Sequence, residues 1–244
     1  MERLYKSPDM NVQKHLQKLM REFALHFSEF TISNENNLYV HFIKKLKPVA
    51  GQTIFSTLNY DLLFEDASES LGYRINCFQE SKVDLTYLKL HGSCNFIPDP
   101  TLNNTFTNCF VIGESGGFNF PIAACTREEV RKFCSTDGNI YPTMALYANT
   151  KPTQFGSQAI EDIRYRWKHH VQSADKILII GVRPYPLDTH IWKPLENSTA
   201  TIGYIGSTEF NQWHNSFRIN KDDYFIGTKW IDHLEESVGF LTES

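Results

Sequence analysis

A short β-branched and aromatic run, Thr53-Ile54-Phe55-Ser56-Thr57, leads into Asn59 and Asp61, and a second run, Leu85-Thr86-Tyr87-Leu88-Lys89-Leu90, leads into His91-Gly92. A carboxamide can orient a substrate hydroxyl or a water, and an imidazole that titrates near neutrality can take a proton from that water. A third run, Lys176-Ile177-Leu178-Ile179-Ile180, ends on Gly181, with Arg183 two residues on. Glycine lets a backbone approach a ligand closely, and a guanidinium can grip a phosphate. Each residue also has a plain structural reading. Asn59 and Asp61 are turn formers, a histidine beside a glycine is more often a hydrogen-bonded structural residue, and Arg183 opens a surface turn, Arg183-Pro184-Tyr185-Pro186. Taken together, polar residues at several strand ends favour a site, because parallel strands bring those ends to one rim.

The elements that must position them can be read from periodicity. Val12, Leu16, Leu19, Phe23 and Phe27 predict an amphipathic helix over 11–30, and Leu38, Phe42, Ile43 and Leu46 a second over 35–46, stopped by Pro48. A helix follows from Leu62 to Gly72. Residues 96–156, rich in Asn, Thr, Gly and Pro, read as an insertion holding the short strand 109–112 and a helix over 126–133. From Ser157 the alternation is regular: a helix, the strand 176–180, a helix over 189–195, the strand 200–205, a helix over 209–217, the strand 224–227 and a last helix from Trp230. The expected fold is α/β: residues 51–95 and 157–244 form one parallel-sheet core covered by helices on both faces, 1–50 a helical N-terminal segment and 96–156 the insertion.

Composition narrows the function. The chain has 244 residues, 41% of them hydrophobic and 21% charged, which excludes a disordered or low-complexity protein. Twenty-four basic against 28 acidic residues give a net charge of -4, so direct nucleic-acid binding is not expected. Nothing approaches the roughly 18 consecutive apolar residues of a membrane span, and the opening residues lack a secretory apolar stretch, so a cytoplasmic protein is expected. The five cysteines, 77, 94, 109, 125 and 134, show no CxxC spacing, so no metal site is expected and the thiols read as buried and reduced.

The segments 54–61, Leu88-Lys89-Leu90-His91-Gly92-Ser93 and 177–181, in that order, resemble the sirtuin-like domains of bacterial anti-phage NAD hydrolases. The resemblance runs from Thr53 to the C-terminus. It implies a Rossmann-like fold with a small subdomain, and a hydrolase that takes NAD as its substrate and releases nicotinamide and ADP-ribose. By the same resemblance Asn59 orients the nicotinamide ribose and the attacking water, His91 is the general base, and Asp61 sits near the nicotinamide amide. Thr57 and Gly181 then meet the dinucleotide. The zinc-holding cysteine pairs of the related sirtuin deacylases are absent, which favours NAD hydrolysis over deacylation.

The chain departs from that family in two places. The family's first strand and its glycine-rich pyrophosphate turn have no counterpart before Thr53, so either the chain is a truncated product or another element or subunit holds the pyrophosphate. Arg183 stands where the family often has serine and is expected to contact a phosphate. Ser207 is expected at the adenosine ribose, at the N-cap of the following helix, or both. Gly113-Glu114-Ser115-Gly116-Gly117 reads as a flexible turn without chemistry. Expected partners are NAD and a second copy or a defence-system protein. The competing expectation is a catalytically impaired domain that binds a nucleotide or a partner as a regulatory module.

Overall fold

The computed structural model describes residues 2–32, 36–79, 84–99, 101, 108–112, 115–136, 138–146, 152–219 and 221–243. The chain opens with α1 (Glu2–Tyr5), α2 (Met10–Glu29) and α3 (Leu38–Lys45). Asp9 and Asn37 cap α2 and α3, each accepting at 2.8 Å from a backbone N–H two residues on. Residues 33–35, where the second helix was expected to begin, lie outside the described residues. A 3-10 turn leads into β1 (Phe55–Thr57), followed by α4 (Leu63–Ser70), β2 (Ile75–Asn76) and β3 (Leu85–Lys89). Next come β4 (Phe96–Pro98), β5 (Asn108–Ile112), β6 (Ser115–Asn119), β7 (Ile122–Ala124) and α5 (Arg127–Ser135). The last third is α6 (Ser157–Ser173), β8 (Lys176–Ile180), α7 (Thr189–Asn197), β9 (Thr201–Ile205), α8 (Glu209–Phe217), β10 (Tyr224–Gly227) and, after a 3-10 turn at Trp230–His233, α9 (Leu234–Thr242).

The fold is α/β with parallel sheets, but the single sheet expected from the alternation is divided. One parallel sheet has the order β1-β3-β2 and another the order β10-β9-β8. Among the described residues, β1 and β8 each pair on one side only. The apolar run 176–180 predicts a strand buried on both faces, yet only Ile179 is buried while Ile177, Leu178 and Ile180 are half-buried. The difference follows from position: β8 is an edge strand, and an edge strand keeps part of its surface in solvent. One apolar cluster nevertheless spans both sheets, joining Phe55, Tyr87 and Leu88 to Ile179, Ile202 and Tyr204, with Ile163 and Trp167 of α6 among them. On α3, Phe42 meets the Trp230 ring at 5.3 Å, and Lys45 pairs with Glu235 of α9.

A second cluster ties the N-terminal helix to the segment 96–156. Leu16, Met20 and Ala24 of α2 pack with Val130 and Cys134 of α5 and with Phe120, Tyr141 and Leu146. The buried face of α2 is therefore Leu16, Met20, Arg21, Ala24 and Ser28, not the stripe through Leu19 and Phe23; Phe23 is 39% exposed. Arg21 explains the rotation. Its Nε donates to the Cys134 carbonyl at 3.3 Å, Nη1 to those of Gly138 and Ile140, and Nη2 to those of Phe133 and Thr136, so one guanidinium satisfies the carbonyls left open at the end of α5. The glycine-rich stretch is a second correction. Gly113 and Glu114 lie outside the described residues, and Ser115, Gly116 and Gly117 belong to β6, paired with β5. Among the described residues no helix is long and apolar enough to cross a membrane.

Cys77, Cys94, Cys125 and Cys134 are buried free thiols. Burial pushes Cys77 and Cys94 up to about 12, and Cys125 and Cys134 up to about 11. The reactive form is the thiolate, so these four are expected to resist a thiol-specific disulfide reagent at pH 8 in the folded protein and to react once it is unfolded in urea. Fast labelling of Cys77 or Cys94 without denaturant, located by peptide mapping, would show that the core packing described above is wrong.

Candidate active site

β1 and β3 pair in parallel with Thr57 opposite Lys89, so Asn59 and His91 each stand two residues beyond the last rung of the ladder. The two segments leave the sheet differently. The Asn59 N–H donates to Thr57 Oγ1 at 3.0 Å and the Leu63 N–H donates to Asp61 Oδ1 at 3.1 Å, turn bonds that launch α4. Asn59 is exposed at the tip of this turn, whereas His91 is 6% exposed. The next residue, Gly92, has φ +83° and approaches the chain so closely that a Cβ would lie 2.0 Å from the Thr143 carbonyl oxygen. Only glycine fits there. Bonds from Ser93 N to Thr143 O and from Ala145 N to His91 O complete the clamp on the histidine backbone.

Under this rim lies a buried ion pair. Lys89, with a fully buried side chain, donates to Glu65 Oε1 of α4 at 2.7 Å and to the Asp61 carbonyl at 2.5 Å. It thereby fixes the loop that carries Asn59, Tyr60 and Asp61. Burial raises the Glu65 carboxyl above its usual range, with Lys89 opposing.

Tyr60 donates to the Ala145 carbonyl at 2.7 Å. Its hydroxyl is pushed up to about 12, chiefly by burial, with Arg164 pulling it down and Asp188 pushing it further up. These two charges belong to α6 and to the residue before α7, so the loop after β1 shares its surroundings with the segment after β8. A direct contact makes the same link: His91 Nε2 and His190 Nε2 are 3.0 Å apart, one ring donating and the other accepting.

The remaining predicted residues gather at the rim of the second sheet. Gly181 has φ +70° with open space around it, and its N–H donates to the Ile205 carbonyl at 2.8 Å. Arg183 is 63% exposed, with Nη1 3.8 Å from Glu209 Oε1. Among the described residues Ser207 Oγ is buried without a hydrogen-bond partner, and the influence of its hydroxyl is the first cause that holds the Glu209 carboxyl below its usual range. The N-cap position of α8 is Thr208, one residue later than the sequence suggests. Thr57, Asn59, Asp61 and His91 thus crown β1 and β3, Gly181, Arg183 and Ser207 crown β8 and β9, and the His91–His190 contact joins the first group to α7, the helix that follows β8.

Sequence reasoning missed His190, Lys89, Glu65, Tyr60 and Arg164. Asp188-Thr189-His190, three polar residues that open the helix after an apolar strand, carried a usable signal, since ligands in parallel α/β sheets sit at such junctions. Arg164 carried none, being one charge among several on an amphipathic helix. Among the described residues no group of three or more His, Cys, Asp or Glu side chains is placed to hold a metal. Compared with protein-family models and with curated proteins, the chain matches none.

Proposed function

We propose that this chain is a sirtuin-like, Rossmann-like domain that hydrolyses NAD to nicotinamide and ADP-ribose, in the manner of anti-phage NAD hydrolases. The observation that carries the reading is the parallel register of β1 and β3, which sets a carboxamide and an imidazole at equivalent positions beyond the same ladder. Cleavage of an N-glycosidic bond with a cationic leaving group asks for orientation of the ribose and for a base to take a proton from water. In this reading Asn59 orients, His91 is the base, and Gly181, Arg183 and Ser207 face the rest of the dinucleotide, with Thr57 and Asp61 at the nicotinamide end.

Among the described residues β1 and β8 each have one edge with no strand partner, and these edges support the reading that the pyrophosphate is held by another element or a partner. They equally support the second reading, a nucleotide-binding or partner-binding module of low activity.

Nicotinamide release from NAD by the full chain, measured across a range of protein concentrations, separates the two. Turnover that falls about 100-fold in His91→Ala and in Asn59→Ala, with unchanged melting temperatures, is the outcome expected of a hydrolase. Absence of turnover at every concentration, together with an NAD-induced rise in melting temperature, would favour the module.

A further inference from the structure

A groove of about 460 Å³ runs between α6 and α7, and it contains none of the residues the sequence singled out. Arg164 and Lys168 line one wall, and Thr189, His190 and Lys193 line the other, which is the first part of α7. None of the residues lining the groove is a carboxylate. Glu196 pairs with Lys193 at 2.8 Å, and Asp188 and Glu161 act on Arg164, so the carboxylates stand around the groove.

Two direct bonds connect this groove to the strand end that carries His91. Arg164 Nε donates to the carbonyl of Leu90 at 2.9 Å, and His190 Nε2 contacts His91 Nε2 at 3.0 Å. Arg164 Nη2 is buried without a hydrogen-bond partner, so the guanidinium carries unmet donor capacity.

We propose that the groove between α6 and α7 binds a phosphate-bearing ligand and that its occupancy is passed to His91 through His190. Arginine, lysine and a histidine at the first turn of a helix form a donor set suited to a phosphate dianion, and the volume accommodates a mononucleotide. Both imidazole Nε2 atoms cannot donate across one 3.0 Å contact, so in this arrangement one ring occupies the other's nitrogen. In the tautomer with His190 as the donor, a phosphate oxygen that accepts the His190 Nε2–H instead frees the His91 Nε2 lone pair from this contact. Phosphate binding itself requires no NAD hydrolysis, so this inference and the preceding one fail separately.

The test is a titration of the full chain with inorganic phosphate, followed through the ring nitrogens of His190 and His91 by NMR, against sodium chloride at equal ionic strength. Saturable shifts of both rings are expected, with affinity weakened at least tenfold in the double variant Lys168→Gln/Lys193→Gln and unchanged in Arg183→Gln. Both lysines are at the surface, so the double variant keeps its fold. A parallel titration with adenosine 5′-monophosphate separates the sources: tighter binding than phosphate assigns a nucleotide, equal binding assigns free phosphate. Shifts no larger than those from chloride, shifts that survive the double variant, or shifts lost in Arg183→Gln would overturn the proposal.

Discussion

Arg218→Met is expected to destabilise the folded chain by about 3–5 kcal/mol, read as a lowered urea midpoint with the slope unchanged. Arg218 and Asp223 have fully buried side chains, bonded at 2.6 Å from Nε to Oδ2 and at 2.9 Å from Nη2 to Oδ1. The same guanidinium donates to the carbonyls of Leu195, Ser198 and Ala200, which close the turn between α7 and β9. Asp223 Oδ1 in turn accepts from the Ile202 N–H. Methionine fills much of the volume but leaves a buried carboxylate with the Ile202 N–H and His214, at 3.6 Å, and no guanidinium opposite it, and three carbonyls without this donor. Because the cost lies in the stranded charge, Arg218→Met/Asp223→Leu is expected to be more stable than Arg218→Met alone. A single variant within 1 kcal/mol of wild type would mean that water reaches this pair.

Lys89→Met is expected to cost a similar amount at pH 7 and clearly less at pH 5. Glu65 already has its carboxyl raised by burial, and removing Lys89 takes away the principal effect opposing that rise. A carboxyl whose folded value lies above its unfolded value of about 4.3 contributes stability that is whole below the unfolded value and is lost as pH rises through the folded one. In the variant the loss is larger and extends to higher pH, so its deficit relative to wild type grows from pH 5 to pH 7. Urea unfolding at the two values measures it. Lys89 also holds the Asp61 carbonyl at 2.5 Å, so the loop bearing Asn59 is expected to exchange its amide hydrogens faster in the variant, even at pH 5.

Why some of this was legible in the sequence and some was not follows from range. The strand ends at Asn59, His91 and Gly181 are legible because β-branched runs closed by turn residues are local signals, and α6, α7 and α8 because each buries one apolar stripe. The failures depended on partners distant in sequence. The apolar face of α2 was misplaced because Arg21 answers carbonyls more than 110 residues away, which no periodicity within the helix encodes. The strand 176–180 looked fully buried because composition does not reveal whether a neighbouring strand pairs with it. Lys89 gave no local signal, because the whole of β3 is buried and the lysine's partner lies on α4. His190 was passed over because its importance lies in a contact with a residue 99 positions earlier.

The central claim is that the Asn59 carboxamide and the His91 imidazole face one ribose. NMR titration of the full chain with NAD, observing the Asn59 side-chain amide and the His91 ring nitrogens together, addresses it most directly. The account predicts that both move with a single dissociation constant, and that Asn59→Ala weakens the response of His91. Movement of one group alone, or of neither while NAD binds elsewhere, would contradict it.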